Sequence, residues 1–296
     1  LDGYPLKLTL SVPPLARPAA LAEEKLPAAV EIAAALEGPL PAGKFTTRRL
    51  SLTPLLTFQE CPRRFYWQHR LGSDPAVLTA EAQSPAGGLS GNYSLLLGDV
   101  FHRLIAAAPA GRGEKVPEFT DFFPELPPAE QQKAAAQLQT MYQNYLASPF
   151  VPQPGIRVEN ELPFVLDLKG VIIKGIIDRV LFYPGGRMVV VDFKTNRRLP
   201  PPGKIRDRYS FQVYLYALAL RAIYGQLPAE AWVYFVRPNI QLPCPLTAEK
   251  LDATEQAILK SVEYITTHDH PEDYPPGADC EFCPFTPWCQ DRVCSS

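Results

Sequence analysis

The sequence has no run of the roughly 20 apolar residues that a membrane-spanning helix requires. Its first residues show neither a basic start nor the apolar core of a secretory signal. The expectation is therefore a cytoplasmic chain with no membrane partner. Basic excess is missing too: 29 Lys and Arg stand against 31 Asp and Glu, a formal net charge of −2. Any case for nucleic acid must come from local clusters and not from a global field. No internal repeat is visible. A working phosphate-binding loop is also absent. Gly38 to Lys44 reads GPLPAGK, yet Phe45 stands where Ser or Thr would hold magnesium, no apolar strand precedes it, and Pro39 and Pro41 remove amide donors that would cradle phosphates.

What is present describes a soluble globular protein. The 296 residues are 46% hydrophobic and 20% charged, enough for one large domain or two small ones and unlike a disordered chain. Proline is abundant, at 33 residues, and concentrates before residue 45, between 75 and 85, and from 117 to 128, which read as linkers or insertions. Residues 1–44 mix a strand-like LKLTLSV, Ala/Pro-rich sequence and a short helical stretch, and are expected to form an N-terminal extension or linker ahead of a domain spanning 45–296. Six cysteines in a long chain without an export signal favour metal or cluster ligation over disulfides.

From residue 51 the pattern sharpens. Ser51 offers a cap hydroxyl and Pro54 sits in the first turn of a helix running to about Arg70, interrupted at Cys61 and Pro62. Further helices are expected at about 94–108 and 128–147. The period then changes: IRVENELPFVLDL, VIIKGIIDRVLFY and RMVVVDFKT are β-rich, the last two separated by Pro184-Gly185-Gly186, which reads as a hairpin turn. Helix returns from Tyr209 to Tyr224, AWVYFV is another strand, and Thr247 to about Thr267 a final helix. The order predicts an α/β (α+β) fold, a central mixed β-sheet flanked by helices.

The chemistry gathers on the hairpin. Asp192 and Lys194 are two apart on a strand and leave from the same face. If Pro184–Gly186 is a three-residue loop, Tyr183 opposes Arg187 and Asp178 falls opposite Asp192; a two-residue loop would put the aspartates on opposite faces. Two facing carboxylates repel unless a cation lies between them. Oxygen ligands with open positions suit Mg2+ or Mn2+, and a lysine on the same face can stabilise a developing phosphorane or orient a water. These are parts for hydrolysing a phosphodiester. The plain alternative is a pair of solvated strand-end aspartates beside a surface lysine.

GIIDRV at 175–180, VVVDFKT at 189–195, and the helix element from Gln212 to Tyr216 resemble, in order, the motifs of the PD-(D/E)XK nucleases of the RecB/AddAB type, and GDVFHRL with His102 resembles the histidine motif that precedes them. The resemblance covers roughly residues 50–290. It implies a restriction-endonuclease-like core in which His102, Asp178 and Asp192, with the Phe193 backbone carbonyl, ligate Mg2+ or Mn2+. Lys194 would be the catalytic lysine, and Gln212 and Tyr216 a helical pair bordering the site. Glu161 in NELPF resembles the glutamate often found on the family's first strand; a solvated strand residue is an equal reading. Where the family usually has Tyr between carboxylate and lysine, this sequence has Phe193.

The cysteines carry a second signal. Cys280-x2-Cys283-x5-Cys289 clusters three thiols, and Cys61 lies far upstream, a set suited to a cluster or zinc site that closes the chain ends against each other. It is similar to the iron-sulfur staple of AddB-type and CRISPR-associated exonucleases, which implies a 4Fe-4S cluster on Cys61, Cys280, Cys283 and Cys289. Zinc would accept the same ligands, and free buried thiols are the plain alternative. Cys294 is a further candidate ligand or a terminal thiol, and Cys244 is read as structural.

Basic residues gather near these motifs, Arg63, Arg64, Arg197 and Arg198 among them, and are expected to line a path for a phosphate backbone. Phe65, Tyr66 and Trp67 are read first as packing beside the cysteine site and second as base-stacking groups. The resemblance implies a metal-dependent exonuclease acting on single-stranded DNA ends in double-strand break repair and recombination. It would be the nuclease domain of an AddAB/RecBCD-like helicase–nuclease complex, with residues 1–44 the tail of a preceding helicase domain. The alternatives are a non-catalytic DNA-binding or assembly module with an iron-sulfur or zinc staple, and a standalone CRISPR-associated exonuclease.

Overall fold

Alternation of branched and aromatic residues through the middle of the chain produces the sheet on which everything else is hung. The computed structural model describes residues 48–73, 90–107, 118–196, 202–277, 280, 283–286 and 289, with backbone only for 90–95 and 202–208. Six strands form one sheet: β1 (Arg49–Ser51), β2 (Arg157–Leu168), β3 (Val171–Phe182), β4 (Met188–Lys194), β5 (Glu230–Phe235) and β6 (Ile240–Pro243). β2 runs antiparallel along the whole of β3 on one edge. On the other edge β1 pairs parallel with the start of β3 and β4 antiparallel with its end. β5 then adds parallel to β4, and β6 antiparallel to β5. The mixed sheet matches the expected architecture.

Helices cover both faces. α1 (Leu52–Glu60), α2 (Pro62–Phe65), α3 (Ser90–Ala107), α4 (Pro128–Leu146), α5 (Pro202–Tyr224) and α6 (Ala248–Thr267) are the α-helical elements among the described residues, and Tyr66–Arg70 prolongs α2 as a turn of π-helix. In β4, Met188 and Val190 pack with α1, α5 and α6, while Val189, Val191 and Phe193 pack with α3 and α4. β4 is therefore buried on both faces, as a central strand with a parallel neighbour should be. α5 is buried from Val213 to Leu220 without interruption, which is the signature of a helix enclosed on every side.

Two local details differ from expectation. Ser51 occupies the cap position of α1 but its hydroxyl caps nothing; instead the Cys61 thiol caps α2, accepting from the Arg64 amide at 3.3 Å. α5 begins at Pro202, seven residues before the expected Tyr209. Proline suits a first helical position, because its missing N–H has no helical partner there.

The β3–β4 register depends on the connection. Pro184–Gly186 is a three-residue loop, the Tyr183 amide donates to the Arg187 carbonyl at 2.8 Å, and the ladder runs from Phe182 opposite Met188 to Arg179 opposite Val191. Continued by one residue, this register sets Asp178 opposite Asp192. There the ladder stops, and the Phe193 amide donates to the Asp178 carboxylate at 2.9 Å in place of a backbone acceptor.

A second irregularity lies on the same level. Phe164, Leu166 and Leu168 of β2 pack with α5, yet Val158, also even-numbered, packs on the other face. The pleat reverses at Glu161, whose φ is 48°. A non-glycine residue in this region is strained, and such strain collects at functional sites. Register places Glu161 opposite Asp178, between the pairs Asn160–Arg179 and Leu162–Ile177.

Candidate active site

Three elements converge at that irregularity. His102 of α3, Glu161 of β2 and Asp178 of β3 offer ligand atoms that all lie within 4.8 Å of one another, with His102 Nδ1 at 3.8 Å from both Glu161 Oε1 and Asp178 Oδ2. Glu161, the weakest of the sequence candidates, is thus a full member of the group. The cleft above is lined by Asp99, His102, Arg103, Ala106 and Glu161. α3 can approach closely because Gly98 faces the end of β4: a Cβ there would lie 3.0 Å from Thr195 Oγ1.

Asp192 and Lys194 form a second half. Asp192 is fully buried, and Lys194 Nζ lies 2.9 Å from its Oδ2 and donates to Oδ1 at 3.1 Å. The same ammonium donates to Gln212 Oε1 at 2.8 Å, and Gln212 Nε2 donates to the Tyr216 hydroxyl at 2.5 Å. Gln212 and Tyr216 are one turn apart on α5, so a single helix face presents both. The lysine is thereby fixed between a strand carboxylate and a helix amide. Phe193, between the two strand residues, is buried on the opposite face against Phe101 and Tyr145. A tyrosine hydroxyl would gain no access to the site there.

Electrostatics give the cluster a direction. Burial pushes the Asp178 carboxyl up to about 7, and the Asp192 charge adds to it against the pull of His102 and Lys194. For His102 burial favours the neutral ring, but the Glu161, Asp178 and Asp192 carboxylates outweigh it and the net shift is upward. Lys194 follows the same pattern: burial opposes its charge, and Asp192 and Asp178 more than restore it. Burial, then the two aspartates, raise the Tyr216 hydroxyl well above its ordinary value, so it stays protonated while accepting from Gln212. Three carboxylates share one lysine and one imidazole. Asp192 Oδ2 is buried, with the Lys194 ammonium 2.9 Å away as its counter-charge. Excess negative charge in such a cluster is the condition a divalent cation relieves, and His102, Glu161 and Asp178 form a group that could hold one.

The family model of the PD-(D/E)XK nuclease superfamily matches residues 49–290. The chain belongs to the PD-(D/E)XK nuclease superfamily. Two curated relatives are each described as one component of an ATP-dependent helicase/nuclease. That of Pelotomaculum thermopropionicum is 29% identical over 105 residues, 30% of this chain and 8% of the relative. That of Anoxybacillus flavithermus is 35% identical over 89 residues, 28% of this chain and 7% of the relative. The nuclease domain therefore matches only a small part of those long polypeptides.

Cys61 and the Cys280 segment meet where the two ends of the described domain come together. Gly277 N donates to Cys61 Sγ at 3.1 Å, Cys280 Sγ donates to the Gly277 carbonyl at 3.6 Å, and Thr286 Oγ1 binds the Cys280 and Cys283 carbonyls. Cys61 and the C-terminal cysteine segment are thus adjacent. Among the described residues no three of these sulfurs lie within 4.8 Å of one another, the one such group being His102, Glu161 and Asp178. Cys244 is buried in the α5–α6 core; Cys294 lies outside the described residues, as do Arg197, Arg198 and the GPLPAGK segment.

Phe65 and Tyr66 are buried, and Trp67 packs on Phe285 with ring centroids 5.4 Å apart. These aromatics pack the closure, so the first of their two readings holds. Arg63 donates to the Tyr274 carbonyl, and Arg64 pairs with Glu60 at 3.6 Å. Arg63 thus ties the start of α2 to the Tyr274 segment, while the Arg64 pair is local.

Gly277 is the point of closest approach. A Cβ there would lie 2.5 Å from the Glu60 carbonyl oxygen and 2.9 Å from Cys61 Cβ. Gly277→Ala is expected to destabilise the fold by about 1–3 kcal/mol, the usual cost of overpacking. Chemical denaturation checks this, and an unchanged midpoint would contradict the contact.

Proposed function

We propose that the chain is a divalent-metal-dependent deoxyribonuclease domain acting on single-stranded DNA ends, and that it works within an AddAB/RecBCD-like helicase–nuclease in recombination and repair. One observation carries this reading: a buried Asp192–Lys194 pair abuts a pocket in which His102, Glu161 and Asp178 converge. Family membership supports the nuclease chemistry, and the described activity of the two relatives supports the helicase context.

In this reading His102, Glu161, Asp178 and Asp192 hold Mg2+ or Mn2+, which when bound supplies a Lewis acid for a phosphate oxygen and lowers the pKa of a water. The rest is done by the chain. Asp192 and Gln212 hold the Lys194 ammonium. From there it stabilises charge developing on the phosphate and orients the attacking water. Tyr216 fixes the Gln212 amide, so the lysine has one orientation. Arg103, at the cleft wall, suits contact with a neighbouring backbone phosphate.

We assign to Cys61, Cys280, Cys283 and Cys289 a 4Fe-4S cluster with a structural role. Amide donation to Cys61 Sγ from Arg64 and Gly277 suits a thiolate.

The test is degradation of end-labelled linear single-stranded DNA by the metal-free protein with Mg2+, with Mn2+, or with chelator alone. Cutting restored by either cation and absent in chelator supports the reading. No cutting with either cation, alongside intact DNA binding, would transfer the chain to the class of DNA-binding modules.

A further inference from the structure

Arg179 is the largest fully buried side chain among the described residues, 0% exposed, in a strand where arginine ordinarily faces water. Its four hydrogen bonds all go to neutral oxygens. Nε donates to Asn160 Oδ1 at 2.7 Å, Nη1 to the Tyr145 hydroxyl at 2.5 Å and to the Phe150 carbonyl at 3.2 Å, and Nη2 to the Ile105 carbonyl. The guanidinium also lies over the Tyr145 and Phe193 rings. A buried cation without a carboxylate partner is expensive, and an apolar residue of similar volume would commonly be neutral or stabilising. Stability alone does not account for it.

Its partners do. Arg179 is adjacent to Asp178, and Asn160 is adjacent to Glu161. Ile105, and Ala106 whose carbonyl accepts from Asn160 Nδ2 at 3.2 Å, lie three and four residues beyond His102, on the same face of α3. The Ile105 carbonyl has no donor four residues on, because that residue is Pro109, which carries no N–H. Each element that delivers a ligand to the pocket is thus gripped within one turn, or one residue, of its ligand by the same two side chains.

We propose that Arg179 and Asn160 are positioning residues for the metal pocket. They clamp α3, β2 and β3 so that His102, Glu161 and Asp178 meet, and they hold the reversed pleat at Glu161 in place. This inference rests on the proposed metal site and assigns it a determinant outside its ligands. Partners that orient metal ligands typically govern affinity by about 10–100-fold.

The experiment measures Mn2+ affinity by electron paramagnetic resonance of the free ion and by calorimetry, with thermal unfolding alongside, on the full chain. The variants are Asn160→Ala, Arg179→Lys, Tyr145→Phe and, as reference, Asp178→Asn. Tyr145→Phe removes one Arg179 hydrogen bond to α4, which carries no ligand, and so reports the stability effect alone. Asn160→Ala and Arg179→Lys are expected to weaken Mn2+ binding about 10–100-fold, with Tyr145→Phe at wild-type affinity. Equal affinity in Asn160→Ala and wild type, or equal weakening in all three, would overturn the positioning role. If Arg179→Lys does not fold, Asn160→Ala decides. A wild-type protein that binds no Mn2+, or binds it indifferently to Asp178→Asn, instead removes the metal site itself and the inference with it.

Discussion

Asp192→Asn is expected to lower metal-dependent cutting by about a thousandfold or more while leaving the protein folded. A metal ion contributes several kcal/mol of transition-state stabilisation, and about 4 kcal/mol corresponds to that factor. The substitution removes the charge of a fully buried carboxylate, and with it the anion that holds Lys194. The asparagine oxygen can still accept from Nζ, and Gln212 still does, so the ammonium keeps neutral partners. Cutting within tenfold of wild type would sink the proposed centre.

Activity and stability separate in a cycle with Lys194. Lys194→Met strands a carboxylate of 0% side-chain exposure, and breaking one partner of a buried pair commonly costs about 3–5 kcal/mol. In Asp192→Asn/Lys194→Met neither charge remains, and most of that stability is expected to return. Activity is not. A double variant as stable as wild type and equally inactive would show that this pair is kept for chemistry at the expense of packing, which thermal unfolding and the DNA assay read side by side.

The hairpin was the most legible part of the sequence because its loop length fixes parity: three residues between Tyr183 and Arg187 leave one register, and that register aligns Asp178 with Asp192. Long helices with apolar stripes were equally visible, α4 and α6 ending within a residue of expectation. β1 and β6 escaped notice since three or four residues carry no alternation, and the partner that makes β1 a strand lies more than a hundred residues away. The site was half legible. Lys194 and Asp192 share a face by spacing alone, but nothing in NELPF announces a left-handed Glu161, because the residue at that position is neither Gly nor Asn. Arg179 was invisible for the opposite reason: an arginine in a strand reads as solvent-facing, and only the tertiary fold supplies four oxygens to receive it. The cysteine spacing located the closure without its sulfur geometry, which depends on what the thiolates bind.

Cys283→Ala is expected to abolish the brown colour of anaerobically purified protein, remove iron on metal analysis and lower the midpoint of thermal unfolding. A bridge between Cys61 and Cys280 closes a loop of some 220 residues, which in the chain-entropy description corresponds to roughly 5 kcal/mol. The loss should be smaller, about 2–4 kcal/mol or roughly 5–15 °C, because the closure has ties of its own. Arg63 reaches the Tyr274 and Pro275 carbonyls through its side chain and its amide. Arg70 bonds to Asp269 and to the Tyr274 hydroxyl, and Tyr274 packs among Phe58, Phe65 and Tyr66. These hold the chain as far as Gly277. Beyond it, among the described residues, Phe285 packs on Trp67, and Cys280, Cys283 and Cys289 stand where the proposed cluster would hold the segment. Hydrogen exchange should therefore rise after Gly277 in the variant and change little at Tyr274. Thermal unfolding unaffected by Cys283→Ala would remove the stapling role, and zinc in place of iron in the unaltered protein would change the metal while leaving the closure argument intact.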